Sequence, residues 1–144
     1  MARDPHCKFC KIIAAELPAA VVYEDQFALG FLDVNPLAEG HLLLIPREHF
    51  ARLGDMPPTK CSPLASVLPV LSRALIQVTG AEGINVLVND GAVAGQVVSH
   101  AHFHLIPRRQ GDGLGFRWMP GKYPEGRAAE LAGKLQAVLS RHGD

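Results

Sequence analysis

The chain places histidine at three alternate positions, His100, His102 and His104, within the run SHAHFHLIPR. No other feature constrains the fold so tightly. On a helix, residues two apart diverge around the cylinder, whereas on a strand they share a face. The run is therefore expected to be a strand with the three imidazoles on one side. Ala101, Phe103 and Leu105 then form the side that faces a core. Pro107 is expected to end the strand, because proline cannot donate to a ladder. A solvated strand seldom gathers three of a chain's seven histidines into five positions by accident. The cluster is either a metal site or a catalytic imidazole group, and the alternation leaves both open.

A strand with two working faces needs neighbours, and the chain supplies them. AVVYED and ALGFLDV read as strands around an acidic turn at Asp25-Gln26, HLLLIP as an apolar strand closed by Pro46, and GINVLVND as a fourth. CKFCKIIAAEL reads as a short helix ended by Pro18, with Phe9, Ile12 and Ile13 on one face. From Met56 to Gly80 the spacing of Leu64, Val67, Leu68, Leu71, Leu75 and Ile76 predicts one long helix. Pro69 should kink that helix or delay its start, and Gly80 should cap it. EGRAAELAGKLQAVLSRHG reads as an amphipathic helix. The expected fold class is α+β: a mostly antiparallel five-stranded sheet, one long helix, and N- and C-terminal helices. Residues 1–144 are expected to form a single domain, with a C-terminal helical extension at about 125–142.

Charge narrows the partners. Lys plus Arg and Asp plus Glu number 14 each, so no basic field favours nucleic acid or an anionic membrane. No apolar run approaches the roughly 20 residues of a membrane span. MARDPHCKFC lacks the apolar region of a signal peptide, so a cytoplasmic location is expected. The three cysteines, an odd number, argue against a secreted disulfide framework. Cys7 and Cys10 form C-x-x-C, which serves either a redox pair or half a zinc site. No strand precedes it, as the redox motif would require, and this favours metal.

The loop GAVAGQVV followed by SHAHFHLIPR resembles the histidine triad (HIT) family, whose signature is His-x-His-x-His with Gly-Gln a few residues upstream. FCKIIAAELPAAVVYED, FLDVNPLAEGHLLLIPREH and INVLVNDGAVAGQ are similar, in order, to the corresponding family segments. C-x-x-C and GDGLGFRW resemble the prokaryotic-type members. The resemblance implies a HIT-like fold, a purine nucleotide substrate and cleavage at the α-phosphate of nucleoside phosphoramidates or dinucleoside polyphosphates. It implies a covalent nucleotidyl-His102 intermediate, with His104 and His41 beside the nucleophile. A neutral imidazole is a competent nucleophile toward phosphorus near pH 7.

Further roles follow from the same resemblance. Asp33, which alone reads as a turn residue, matches the carboxylate that holds the ribose hydroxyls. Phe9, Ile12, Phe31, Val34 and Leu43, which alone read as core, match the slot for the base. Asn89, Gly95, Gln96, Val97 and Val98 match the phosphate-side loop, where glycine permits close backbone approach. Val97 departs from the family's usual Ser or Thr, removing a hydroxyl beside the phosphate or leaving group. Zinc-bearing relatives imply a closed, structural Cys7, Cys10, His49 and His100 set. They also imply a homodimer, whose pairing would cover the apolar strand INVLVND. Two competing readings are a hydrolase with zinc held by the three histidines, and a nucleotide-binding adaptor with little turnover.

Overall fold

The protein is described from a computed structural model over residues 1–115 and 118–142; Phe116 and Arg117 of GDGLGFRW lie outside the described residues. The chain divides into two compact units, Met1–Leu114 and Gly115–Asp144. In the first, α1 (Lys8–Ile13), β1 (Val21–Glu24), β2 (Ala28–Leu32) and β3 (Leu42–Pro46) precede α2 (Pro58–Ala65) and α3 (Leu68–Thr79). β4 (Gly83–Leu87) and β5 (Phe103–Arg108) complete the sheet. The second unit carries α4 (Arg127–His142).

The five strands form one sheet in the order β1-β2-β3-β5-β4, and every adjacent pair is antiparallel. Period-two alternation divides its residues between two packing layers. Ala28, Leu42, Leu44 and Leu105 join Leu64, Val67, Leu71 and Leu75 of the α2–α3 segment in one layer. Leu29, Phe31, Leu43 and Ile45 join Cys7, Phe9 and Cys10 in the other. Burying each of these Leu or Phe side chains stabilises the fold by about 1.5–3 kcal/mol. Ala101, Phe103 and Leu105 do face the α2–α3 layer.

Four expectations need correction. The long helix is two helices, because Pro69, second residue of α3, lacks the N–H that would continue α2 and its ring would crowd the preceding turn. Helix α1 ends at Ile13, well before Pro18. Ala15 adopts φ +60°, and Glu16 N–H donates to the Lys11 carbonyl at 2.8 Å while Ala15 N–H donates to Ile12 at 3.0 Å. This is a Schellman closure with alanine at its left-handed position. Pro107 lies within β5, opposite Ile84, where pairing with β3 has already ended at Leu105. The stretch Pro58–Thr79 spans 22 residues at mean hydropathy 1.4, long and apolar enough to cross a membrane by length and composition. Its break at Ser66–Val67 and its Leu64, Leu71 and Leu75 face, buried under the sheet, mark it as a pair of core helices.

Candidate active site and metal centre

The histidine run is not wholly a strand. Only His104 belongs to β5, opposite Leu43; His100 and His102 precede it in an extended lead-in held by Ala101 N–H to the Phe50 carbonyl at 2.7 Å. The lead-in turns the three rings to different tasks. His102 and His104 stay adjacent, with ring centroids 4.9 Å apart. His100 faces α1 and His49.

Hydrogen-bond partners fix where each imidazole carries its proton. His102 Nδ1 lies 2.7 Å from the His100 carbonyl, so Nδ1 donates and Nε2 keeps its lone pair. His41 Nδ1 accepts from the Leu37 N–H at 3.0 Å, so its Nε2 carries the proton and donates to His104 Nδ1 at 2.9 Å. The remaining nitrogen of His104, Nε2, therefore carries a proton. A nucleophilic nitrogen stands beside a ring that presents an N–H.

His41 is held there by the turn before β3. Gly40 has φ +91°, and a Cβ on it would come within 2.8 Å of Thr79 Cγ2, so only glycine fits. His41 is 2% exposed, and Asp33 Oδ2 lies 3.7 Å from its Nε2. Asp33 Oδ1 accepts from the Asn35 N–H at 2.9 Å, which fixes the carboxylate at the end of β2. Burial lowers the His41 pKa, against the pull of Asp33. Burial, then the neighbouring His102 and His41, lower His104 to about 4. Burial lowers His102 as well, opposed by its bond to the His100 carbonyl. The imidazoles are thus neutral at physiological pH, as nucleophilic attack requires.

Asp33, His41 and His104 lie close enough to hold an ion. The tautomers oppose it: both His41 nitrogens are committed, Nδ1 to the Leu37 N–H and Nε2–H to His104. These groups read better as a proton-sharing chain than as a catalytic metal site.

The predicted base slot is largely assembled. Phe9, Phe31 and Leu43 are buried together, with Ile12 and Val98 packed against them. Phe9 meets Phe31 edge-on at 5.4 Å and His102 edge-on at 5.1 Å. Val34 is 84% exposed and does not join this cluster. On the phosphate-side loop Gly95 has φ +103°, and the Asn89 side-chain amide lies 3.5 Å from where a Cβ would stand. Gln96 is committed to the protein itself. Its Nε2 donates to the Ala51 and Val98 carbonyls at 2.7 and 2.9 Å, and its Oε1 accepts from Gly91 N–H at 2.7 Å. The Val97 side chain is 92% exposed.

The Cys7, Cys10, His49 and His100 donors converge. Sγ of Cys7 lies 3.4 Å from His100 Nδ1, Sγ of Cys10 lies 3.3 Å from His49 Nδ1, and the two Nδ1 atoms are 3.1 Å apart. Tetrahedral zinc with ordinary bond lengths requires S···N near ~3.6 Å and N···N near ~3.3 Å, so the set fits with small adjustments. His100 Nε2 donates to the Pro46 carbonyl at 2.8 Å, which leaves Nδ1 as the free donor toward a metal. Backbone N–H groups of Asp4 and Cys10 each point to a cysteine sulfur at 3.4 Å. Burial pushes the Cys10 thiol up, and a bound dication would reverse that shift. A zinc ion there would draw together α1, the β3–α2 connection and the approach to β5.

Two residues escaped the sequence reading. Asp90 Oδ1 accepts from Leu53 N–H at 2.9 Å and meets Arg52, tying the phosphate-side loop to the segment after His49. The Asp90-Gly91 turn pair was its only signal. Asp4 Oδ2 stands 4.0 Å from His49 Nε2, and nothing in the local sequence marks it.

A neutral imidazole with Nε2 unprotonated, an apolar cluster packed against its ring and a carboxylate beside His41 are the chemistry an antiparallel sheet displays here. A family model described as the HIT domain matches residues 14–111, and the chain belongs to that family. An adenosine 5'-monophosphoramidase of Candida albicans is 38% identical over 146 residues, covering 98% of this chain and 96% of its own. An adenylylsulfatase of Arabidopsis thaliana is 46% identical over 108 residues, covering 75% of this chain; the match spans 55% of that relative's length. The crystal structure of a zinc-bound histidine triad family protein from Mycobacterium smegmatis superposes with TM-score 0.73 at 39% identity, covering 92% of this chain and 97% of that one.

Proposed function

We propose that this HIT protein is a nucleotide hydrolase that cleaves at the α-phosphate of purine nucleoside phosphoramidates or dinucleoside polyphosphates. One observation carries the reading: the 2.7 Å bond from His102 Nδ1 to the His100 carbonyl leaves Nε2 unprotonated and available. In the first step Nε2 attacks phosphorus, the bond to the leaving amine or phosphate breaks, and the leaving group takes up a proton. Water then cleaves the nucleotidyl-histidine and restores Nε2. The Nε2–H of His104, held by His41, donates to a phosphoryl oxygen as charge builds there. Asp33 receives the ribose hydroxyls, and the Phe9, Phe31 and Leu43 slot receives the base. The monophosphoramidase and adenylylsulfatase relatives support this substrate class.

Zinc is assigned to Cys7, Cys10, His49 and His100, where it supplies a closed structural centre. The zinc-bound mycobacterial relative supports that choice. Three free thiols, Cys7, Cys10 and Cys61, favour the cytoplasm as its compartment. A homodimer through β4 is also proposed, because β4 is an edge strand and Val86 on it is 43% exposed. Adenosine phosphoramidate is the test substrate. Wild-type protein should release AMP, and quenching into alkaline denaturant, where the acid-labile P–N bond survives, should trap an adenylylated chain. His102→Ala should lower turnover by orders of magnitude while still binding AMP. Near wild-type turnover by that variant would sink the assignment.

A further inference from the structure

The metal centre touches the nucleotide site along three separate routes. Phe9 stands between the ligands Cys7 and Cys10 on α1, and its ring lies against both His102 and Phe31. The carbonyl of the ligand His100 holds the proton of the nucleophile His102. The third route starts at His49 and runs along the next four residues. Ala101 N–H donates to the Phe50 carbonyl at 2.7 Å, Gln96 to the Ala51 carbonyl at 2.7 Å, and Leu53 N–H to Asp90 at 2.9 Å. Arg52 adds an ion pair to Asp90. Base slot, nucleophile and phosphate-side loop are therefore each anchored to a residue that is a candidate metal ligand or lies within four residues of one.

We infer that the His49–Leu53 segment, with Phe9 and the His100 backbone, is a positioning device through which metal binding sets nucleotide affinity. The inference rests on the functional reading above. Without a metal, the pairs Cys7–His100 and Cys10–His49 have no shared centre to fix them. The segment and the lead-in to β5 keep their Ala101–Phe50 bond, but the helix is then tied to them less firmly, and a nucleotide must order it against them. Metal and nucleotide consequently bind with positive coupling. Coupling is reciprocal, so nucleotide tightens metal retention by the factor by which metal tightens nucleotide binding.

The probes are AMP and the metal itself. Calorimetry should show AMP binding zinc-loaded protein about tenfold more tightly than chelator-stripped protein, within the usual range for coupled sites. Circular dichroism would establish that the stripped protein keeps its fold. A chromophoric chelator competing for zinc should meet about the same tenfold resistance when AMP is saturating. Cobalt(II) in place of zinc provides a reading that does not depend on the stripped protein folding. AMP should shift the visible absorption of the cobalt-loaded protein, and Asp90→Ala, which cuts the third route, should shrink that shift while metal content stays at one per chain. Equal AMP affinity with and without zinc, or an unmoved cobalt spectrum with AMP bound, would overturn the inference. Failure of AMP to bind the zinc-loaded wild type would instead overturn the nucleotide-site reading.

Discussion

Burial beside the nucleophile moves the titration of His104 well away from its ordinary value. Its imidazole is lowered to about 4 by burial and by His102 and His41, against an ordinary value of 6.5. Turnover should be full near pH 7 and be lost as pH falls to about 4, once His104 can no longer accept from His41 and a proton on His102 Nε2 removes the nucleophile. The same shift bears on stability. Between pH 6.5 and 4 the unfolded chain binds a proton at this position that the folded chain refuses, so stability is full above 6.5 and declines as pH falls. Urea midpoints measured from pH 7 to 4.5 should fall, and His104→Gln should flatten the slope; an unchanged slope would assign the loss to other groups. Val97 invites a second test. A serine there could donate to a leaving atom, worth about 1–3 kcal/mol, or ten- to a hundredfold in rate. Because Val97 is 92% exposed, the substitution opens no cavity. Val97→Ser should therefore raise kcat/KM for a phosphoramidate relative to an activated phosphoester, and an unaltered ratio would place leaving-group assistance elsewhere.

Helix α1 carries one candidate metal ligand, Cys10, is capped by another, Cys7, and ends on a strained alanine. Left-handed backbone costs a non-glycine residue about 1–2 kcal/mol, so Ala15→Gly should raise Tm by several degrees in calorimetry. A lowered Tm would mean that the Ala15 methyl packs more than it strains. The sequence announced the strands well, because period-two alternation and the punctuation at Gly40 and Pro46 are local signals. The alternation of His100, His102 and His104 marked a chemical cluster, whereas the division of its members between tasks came from the family resemblance. The sequence misjudged features that depend on distant partners. Proline at 107 is tolerated because β3 happens to end opposite Leu105, a fact of sheet registry. His100 and His102 leave the strand because Phe50 holds the backbone at Ala101. That the Gln96 side chain braces its loop was not legible, since its three partners lie on backbone that only the fold brings near. Val34 could not be told from its buried neighbours by residue type, although it points to solvent.

At the scale of the molecule, the four candidate metal donors bring α1 and its cap against the segment after β3 and the lead-in to β5. Purified protein should carry about one zinc per chain, as a Cys2His2 set requires. Cys10→Ser should lower both metal content, measured by elemental analysis, and Tm; a full zinc complement in that variant would place the metal elsewhere. The same arrangement has a consequence for how the protein is made. Cys10 and His49 are 39 residues apart, and Cys7 and His100 are 93 apart. A nascent chain therefore presents its two thiols long before the last imidazole leaves the ribosome. Until then the thiols can hold an ion only weakly, and they stay open to oxidants and competing metals. With zinc as the ligand of this set, retention would become strong only when β5 docks, so loading would follow most of the folding and would be sensitive to any delay in synthesis beyond β3.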